Sequence, residues 1–187
     1  NFIQPSKDSS ILNRVIGNNP SEIYGKLEAN GKVFLVNENG VLIGPNGLIQ
    51  SSLFLASTLK FEDKDFSDTE DLNFISNEKH TSIKNLGTID SSNGSVLLIS
   101  EKVENVGNIS ASNVYLIGAT DVNISKDNNI IIRQSSIGSI DNSGTIDSIE
   151  TKLLASGGNL YSLAIKHDGI INATKAISKN GKIILLS

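Results

Sequence analysis

Few of the side chains that usually perform chemistry occur in this sequence. Its 187 residues include two histidines, His80 and His167, and no cysteine. Disulfides, thiol catalysis and zinc sites with thiolate ligands are therefore excluded. A catalytic triad or a zinc site needs a histidine with well-placed partners, whereas His80 lies in a polar run and His167 at a turn. We expect both histidines to be exposed and to have no functional role.

Two aspartates come nearest to a catalytic pair of carboxylates. Asp90 and Asp147 each follow the isoleucine of a similar short motif. A glycosidase needs two carboxylates that face one cleft, and in a stacked repeat such a pair would come from neighbouring copies. The copy between them has Ser110 at this position, and no cluster of basic residues accompanies them. The sequence predicts that the chain is not an enzyme and has no cofactor.

A second acidic feature is the stretch 62–71, in which carboxylates are dense. Such a stretch could bind Ca²⁺, but it lacks the ordered spacing and the glycine of an EF-hand loop. We expect a solvated loop without a metal ion, held to the rest of the domain by Phe66 and Phe74.

Charge and hydropathy bear on two further classes of partner. The formal net charge is −4 with a pI near 5.2, and the basic stripe that nucleic-acid-binding proteins carry is not visible. No apolar run approaches the roughly 18–20 residues that a membrane-spanning helix needs. We therefore expect no nucleic-acid binding and no membrane insertion, and we expect a monomer.

Internal repetition is the strongest feature of the chain. An Asn-x-Gly-x-Ile motif at Asn85 returns 20 residues later at Asn105 and 37 residues after that at Asn142. His167 begins a degenerate copy. Each copy joins a turn, favoured by residues that tolerate positive φ, to β-branched residues typical of a strand. A second set of turns leads into strands at Asn30-Gly31, Asn46-Gly47, Asn93-Gly94 and Asn180-Gly181.

The repeat length and the recurring asparagine favour a β-solenoid. About 20 residues fit three short strands and their turns, which is one coil. Parallel coils place identical residues about 4.8 Å apart, so asparagines at one phase can hydrogen-bond along the axis. We predict an all-β, single-stranded, right-handed parallel β-helix, with an antiparallel sandwich as the alternative. The 37-residue spacing indicates two coils, the middle one built from Asp121 to Arg133.

An ordered series of short motifs runs through residues 2–58. They are Phe2-Ile3-Gln4, Leu12-Asn13-Arg14-Val15, Asn19-Pro20-Ser21-Glu22-Ile23, Gly25-Lys26-Leu27, Ala29 to Asn37, Asn39 to Gly44 and Ala56-Ser57-Thr58. The series resembles the N-terminal domain of filamentous haemagglutinin, the two-partner secretion (TPS) domain, and residues 158–165 and 180–185 resemble its last conserved segment. This chain has Asn37-Glu38-Asn39-Gly40 where the family commonly has Asn-Pro-Asn-Gly, so we expect a slightly looser turn.

The resemblance implies one TPS domain over residues 1–187, the N-terminal fragment of a longer exported protein. It implies a β-helix with an N-terminal cap and with loops or hairpins outside the helix. The implied function is secretion targeting: a TpsB-type outer-membrane transporter recognises the domain through periplasmic POTRA modules, and the domain folds at the cell surface. An adhesin that contacts host glycans or proteins is the alternative. Asn13, Asn37, Asn39 and Gly40 are candidate recognition residues, unless they only shape turns.

Overall fold

Short strands with alternating inward and outward side chains, separated by corners rich in asparagine and glycine, wind this chain into coils. The computed structural model describes residues 1–62, 66, 71–76, 78–125, 129–133, 136–157, 163–172 and 182–186. Three faces of parallel strands run along the stack. The fold is therefore a parallel β-helix, as the repeat predicts, and the antiparallel sandwich is wrong.

Each coil contributes one strand to each face. The first face contains β1 (Ser10–Arg14), β4 (Lys32–Val36), β7 (Leu53–Ser57), the second halves of β11 (Thr88–Ser100) and β13 (Asn108–Gly118), β18 (Glu150–Ala155) and β21 (Lys182–Leu186). The second face contains β2 (Ser21–Ile23), β5 (Val41–Ile43), β10 (Ser82–Asn85), β12 (Lys102–Asn105), β16 (Ser139–Asn142) and β19 (Ile165–His167). The third face contains β3 (Lys26–Glu28), β6 (Leu48–Gln50), the first halves of β11 and β13, β17 (Thr145–Asp147) and β20 (Ile170–Asn172).

The interior is filled by rows of like residues. In the parallel register, Ile49, Ile89, Ile109 and Ile146 follow one another on the third face, and each is at most 1% exposed. Burial of one such side chain contributes roughly 1.5–3 kcal/mol. The repeated isoleucine of the motif therefore forms a continuous buried row along the third face.

The glycine of the same motif is required by close approach between coils. A Cβ on Gly107 would lie 2.1 Å from the backbone oxygen of Gly87, and a Cβ on Gly144 would lie 2.1 Å from that of Gly107. Among the described glycines, positive φ occurs at Gly40 and Gly157. From the sequence, we expect the turn glycines to be needed for their tolerance of positive φ. That reason is correct for Gly40 and wrong for the repeated glycines, which close packing requires instead.

Four strands lie outside the β-helix and form an antiparallel sheet. They are β8 (Lys60–Phe61), β9 (Leu72–Ile75), β14 (Asp121–Ile124) and β15 (Ile130–Ile132), in the order β15-β14-β9-β8. The prediction that Asp121 to Arg133 forms a coil is therefore wrong. Asn105 and Asn142 are direct neighbours in the register, and the extra length between them goes into the β14–β15 pair. An apolar surface on the first face lets Val122 and Ile124 be buried there instead of inside the helix.

The aromatic anchors of the acidic stretch are where the sequence predicts them. Phe74 stacks on Phe61 with ring centroids 5.0 Å apart, and Phe66 meets Phe34 edge-on at the same distance. Both therefore hold the excursion against the first face. Residues 63–65 and 67–70, and with them most of the candidate Ca²⁺ stretch, lie outside the described residues, as do Asn180-Gly181 and most of 158–165.

Charged residues of both signs follow the outward side of the second face. Lys84 Nζ lies 3.0 Å from a carboxylate oxygen of Glu104, and Lys102 pairs with the other oxygen. Hydrogen bonds from Lys102 and then Lys84 hold the pKa of Glu104 below its usual value of 4.5.

The described part of the chain contains no helix that is long and apolar enough to cross a bilayer.

Candidate recognition site

The corner between β4 and β5 contains three of the four candidate recognition residues. Asn37 is fully buried, and its Nδ2 donates to the backbone oxygen of Asn19 at 3.0 Å and to Ser21 Oγ at 2.9 Å. Its Oδ1 accepts the backbone N–H of Asn39 at 2.9 Å. Gly40 follows with φ of 114° and donates its N–H to the backbone oxygen of Asn37 at 3.1 Å. The tight turn therefore forms without the family's proline.

Asn39 joins three separate parts of the chain. Its Nδ2 donates to the backbone oxygen of Gly17 at 2.7 Å and to Asn37 Oδ1 at 3.1 Å. Its Oδ1 accepts a hydrogen bond from Lys79 Nζ at 3.0 Å. Because Lys79 follows the outer strand β9, Asn39 connects the first two coils to the segment that returns from the outer sheet.

A cavity of about 250 Å³ lies beside this corner. Arg14, Ile16, Glu38, Asn39 and Lys79 are among the residues that line it. Ile16 is 92% exposed, unusual for an isoleucine in a folded domain. The cavity therefore combines an apolar side chain with charges of both signs.

Asn13 is placed differently from the other three candidates. It lies in β1 in register with Leu35, on the row that faces the interior of the helix. The structure thus brings Asn37, Asn39 and Gly40 into one corner and leaves Asn13 at the N-terminal opening of the core.

The predicted asparagine stack is present, but it excludes the corner residues. Asn85 Nδ2 donates to Asn105 Oδ1 at 2.8 Å, and Asn105 Nδ2 donates to Asn142 Oδ1 at 2.7 Å. All three side chains are fully buried. In the register Asn85 lies on Ile43, so the ladder begins one coil after the corner that contains Asn37.

The ladder ends on a histidine. Asn142 Nδ2 lies 2.9 Å from Nδ1 of His167, and β19 places His167 directly on Asn142. His167 is half-buried, so the expectation that it is exposed is wrong, because the residue occupies the inward asparagine phase. His80 is exposed as predicted, and its Nδ1 lies 2.8 Å from a carboxylate oxygen of Glu101.

Gln4 is a structural residue that sequence reasoning did not single out. Its Oε1 accepts the N–H of Gly31 at 3.0 Å, while its Nε2 donates to the backbone oxygens of Ser9 at 2.8 Å and Lys32 at 3.1 Å. The side chain of Asn30 binds the backbone of Gln4 in both directions: its Oδ1 accepts the Gln4 N–H at 2.7 Å, and its Nδ2 donates to the Gln4 backbone oxygen at 2.8 Å. The glutamine of the Phe-x-Gln motif was the available indication, and its bonds fasten the N-terminal segment as a cap.

The N-terminal end of the stack has unpaired strand edges. Within the described residues, β1 pairs only with β4 and β2 only with β5. Ile3 is 91% exposed and Tyr24 55% exposed at the same end.

On the third face, Ser110 lies between Asp90 and Asp147 in the register, so the two carboxylates are not neighbours.

The family model of the TPS secretion domain matches residues 1–187. Among solved structures, the HMW1 secretion domain from Haemophilus influenzae matches with a TM-score of 0.65 and 28% identity, over 81% of this chain and 46% of that one.

Two curated relatives are heme/hemopexin-binding proteins of Haemophilus influenzae. The one from strain Rd is 34% identical over 199 residues, covering 98% of this chain and 22% of that protein. The other is 49% identical over 61 residues, covering 33% of this chain and 7% of that protein. The chain thus spans less than a quarter of the length of either relative.

This chain belongs to the TPS secretion domain family. It is the secretion-targeting module of a two-partner secretion exoprotein, which an outer-membrane transporter delivers to the cell surface or the extracellular space.

Proposed function

We propose that the POTRA modules of the cognate TpsB-type transporter select this chain through the backbone and apolar side chains of its first coil, before the domain folds. The observation that carries the proposal is that this coil keeps strand edges and large apolar side chains exposed in the folded domain. In the part of the chain that the structure describes, no strand pairs with the outer edge of β1 or β2, and Ile3 and Ile16 are more than nine-tenths exposed. Extended backbone whose N–H and C=O groups are unpaired can pair with a strand of another protein by β-augmentation. The backbone groups and apolar side chains of the first coil that stay without partners in the folded domain are also accessible in the unfolded chain, so the transporter can bind them before folding.

The Asn37–Gly40 corner acts through folding in this proposal, not through contact with the transporter. Asn37 is fully buried and bonded within the domain, and Asn39 bonds to Gly17 and Lys79. Every one of these bonds forms only when the chain folds. Substitution of Asn37 or Asn39 should therefore slow or weaken folding, while the unfolded chain keeps its affinity for the transporter.

The test is a binding titration with the purified periplasmic part of the cognate transporter. The chain is diluted from urea immediately before mixing, so that the unfolded form is sampled. Ile16→Asp should weaken binding at least tenfold, whereas Ile75→Asp, a matched change at a half-exposed isoleucine of the outer sheet, should leave it unchanged. Asn39→Ala should bind like the wild type. Unchanged binding of Ile16→Asp, or a clear loss with Asn39→Ala, contradicts the proposal.

A second candidate function is binding by the complete exoprotein, with this domain as part of the binding surface. The names of the two curated relatives favour heme or hemopexin as what the complete protein binds, and an adhesin for host glycans or proteins is the broader form. Deletion of residues 1–187 separates the two functions. Loss of export supports secretion targeting, and continued export with loss of ligand or cell attachment supports a binding module. Catalysis forms no part of either proposal.

A further inference from the structure

The outer sheet is assembled from two excursions that leave different coils. The β8–β9 excursion lies between β7 and β10, whereas the β14–β15 excursion lies between β13 and β16. The two meet where β9 pairs antiparallel with β14, with Phe74 opposite Val122 and Leu72 opposite Ile124. The coil formed by the second half of β11, β12 and the first half of β13 lies between them along the stack. The β9–β14 pair therefore spans a whole coil.

The outer sheet also completes a second apolar core. Leu55, Leu97 and Ile117 point outward from successive strands of the first face, yet none is more than 8% exposed. The sheet covers them with Phe74, which is fully buried, and with Val122, which is 1% exposed. Neither excursion alone supplies both of these covering residues.

A plain solenoid lacks such a connection. Each coil of a stack contacts only its neighbours, so coils can open one after another along the axis. Contacts that pass over a coil add a coupling that nearest-neighbour stacking does not provide. The three coils beneath the outer sheet gain such a coupling here.

We propose that the outer sheet is a strap that closes only when both excursions are present and that makes these three coils open and close as one unit. One consequence rests on the proposed export function: the strap cannot close until both excursions are on the same side of the outer membrane. The strap itself is a property of the isolated domain. Its failure and the failure of transporter recognition are therefore separate results.

Hydrogen exchange in increasing urea tests the strap on the intact chain. The reporters are peptides containing β10 and β16, which lie on the second face, away from the outer sheet, in the coils that carry the two excursions. In the wild type both peptides should lose protection with the same urea dependence. In Val122→Asp the two should separate, and in Ile131→Asp, a change at a 55% exposed residue of the same sheet, they should stay together.

A milder variant covers the case in which Val122→Asp does not fold. Val122→Ala keeps an apolar side chain but removes part of the contact, so it should split the two transitions by a smaller urea interval. Separate transitions in the wild type overturn the proposal. So do coincident transitions in a folded Val122→Asp protein, or in Val122→Ala when Val122→Asp fails to fold.

Discussion

Asn142 and His167 share a hydrogen bond of 2.9 Å at the point where the asparagine ladder meets its last described member. An amide nitrogen only donates, so Nδ1 of His167 is the acceptor in this bond; the same Nδ1 also lies 3.3 Å from the backbone oxygen of Asn142. His167 therefore accepts the hydrogen bond that an asparagine side-chain oxygen accepts at the other steps of the ladder.

Replacement of His167 tests that role. His167→Asn should keep the bond and leave the free energy of unfolding unchanged or higher. His167→Leu should lower it by about 1–3 kcal/mol, because a buried amide donor loses its partner. Urea unfolding monitored by circular dichroism gives both values. Equal stability of the two variants would show that the bond contributes nothing.

Asn105 lies in the middle of the ladder and should be the most costly member to lose. It bonds to Asn85 on one side and Asn142 on the other. Asn105→Leu leaves a donor and an acceptor unpaired in the core, so we expect a loss of about 2–4 kcal/mol in the free energy of unfolding. Asn108→Ala, at an exposed position of the same coil, is the control and should cost less than about 0.5 kcal/mol. Similar losses in the two variants would argue against the ladder.

Close approach at the glycine corners predicts a strong difference between two Gly→Ala changes. In Gly107→Ala the new Cβ would meet the backbone oxygen of Gly87 at 2.1 Å, whereas at Gly17 nothing lies within 4 Å. We expect Gly107→Ala to lower the free energy of unfolding by about 3 kcal/mol, the upper end of the cost of overpacking. Gly17→Ala should be neutral. Thermal unfolding of both variants measures the difference, and a stable Gly107→Ala domain would contradict the packing described for this corner.

The lowered pKa of Glu104 predicts a pH-dependent contribution to stability. A carboxyl with a lower pKa in the folded state stabilises the fold above its unfolded pKa, and this contribution is lost as the pH falls through the folded value. Glu104→Gln should therefore be less stable than the wild type at pH 7, by about 0.2–1 kcal/mol because the group is partly exposed. The difference should shrink below pH 4.5, the usual value.

Urea unfolding at pH 7 and at acid pH measures this difference. Glu22→Gln is the matched control, since Glu22 is exposed on the same face. A Glu104→Gln deficit that persists unchanged at acid pH would show that the ion pairs with Lys84 and Lys102 are not its source.

The asparagine phase and the isoleucine rows could be predicted from sequence because a stacked repeat turns spacing directly into contact. The role of Asp121 to Arg133 could not, since its length fits a coil as well as a hairpin and its apolar residues suit either core. The segment forms a hairpin because its apolar residues cover the apolar outward surface around Leu55 and Leu97. No local sequence pattern reveals that surface. The exposure of His167 was misjudged for a related reason: a turn position in sequence is an inward position in the coil.

The arrangement of the candidate recognition residues was predictable only in part. The family motif indicated Asn37, Asn39 and Gly40, and the structure joins them in one turn. It could not indicate that Lys79, forty residues further along, bonds to Asn39, because that contact depends on where the outer sheet returns to the helix.

Export of a fused passenger shows whether this domain alone is enough to direct secretion through the transporter. Residues 1–187 are joined, behind a signal for export to the periplasm, to a passenger without secretion activity, and the passenger is measured in the medium with and without the cognate transporter. We predict that the passenger leaves the cell only when both the domain and the transporter are present. Equal amounts of passenger in the medium without the domain, or retention of the fusion in the periplasm despite the transporter, would show that this domain does not direct secretion.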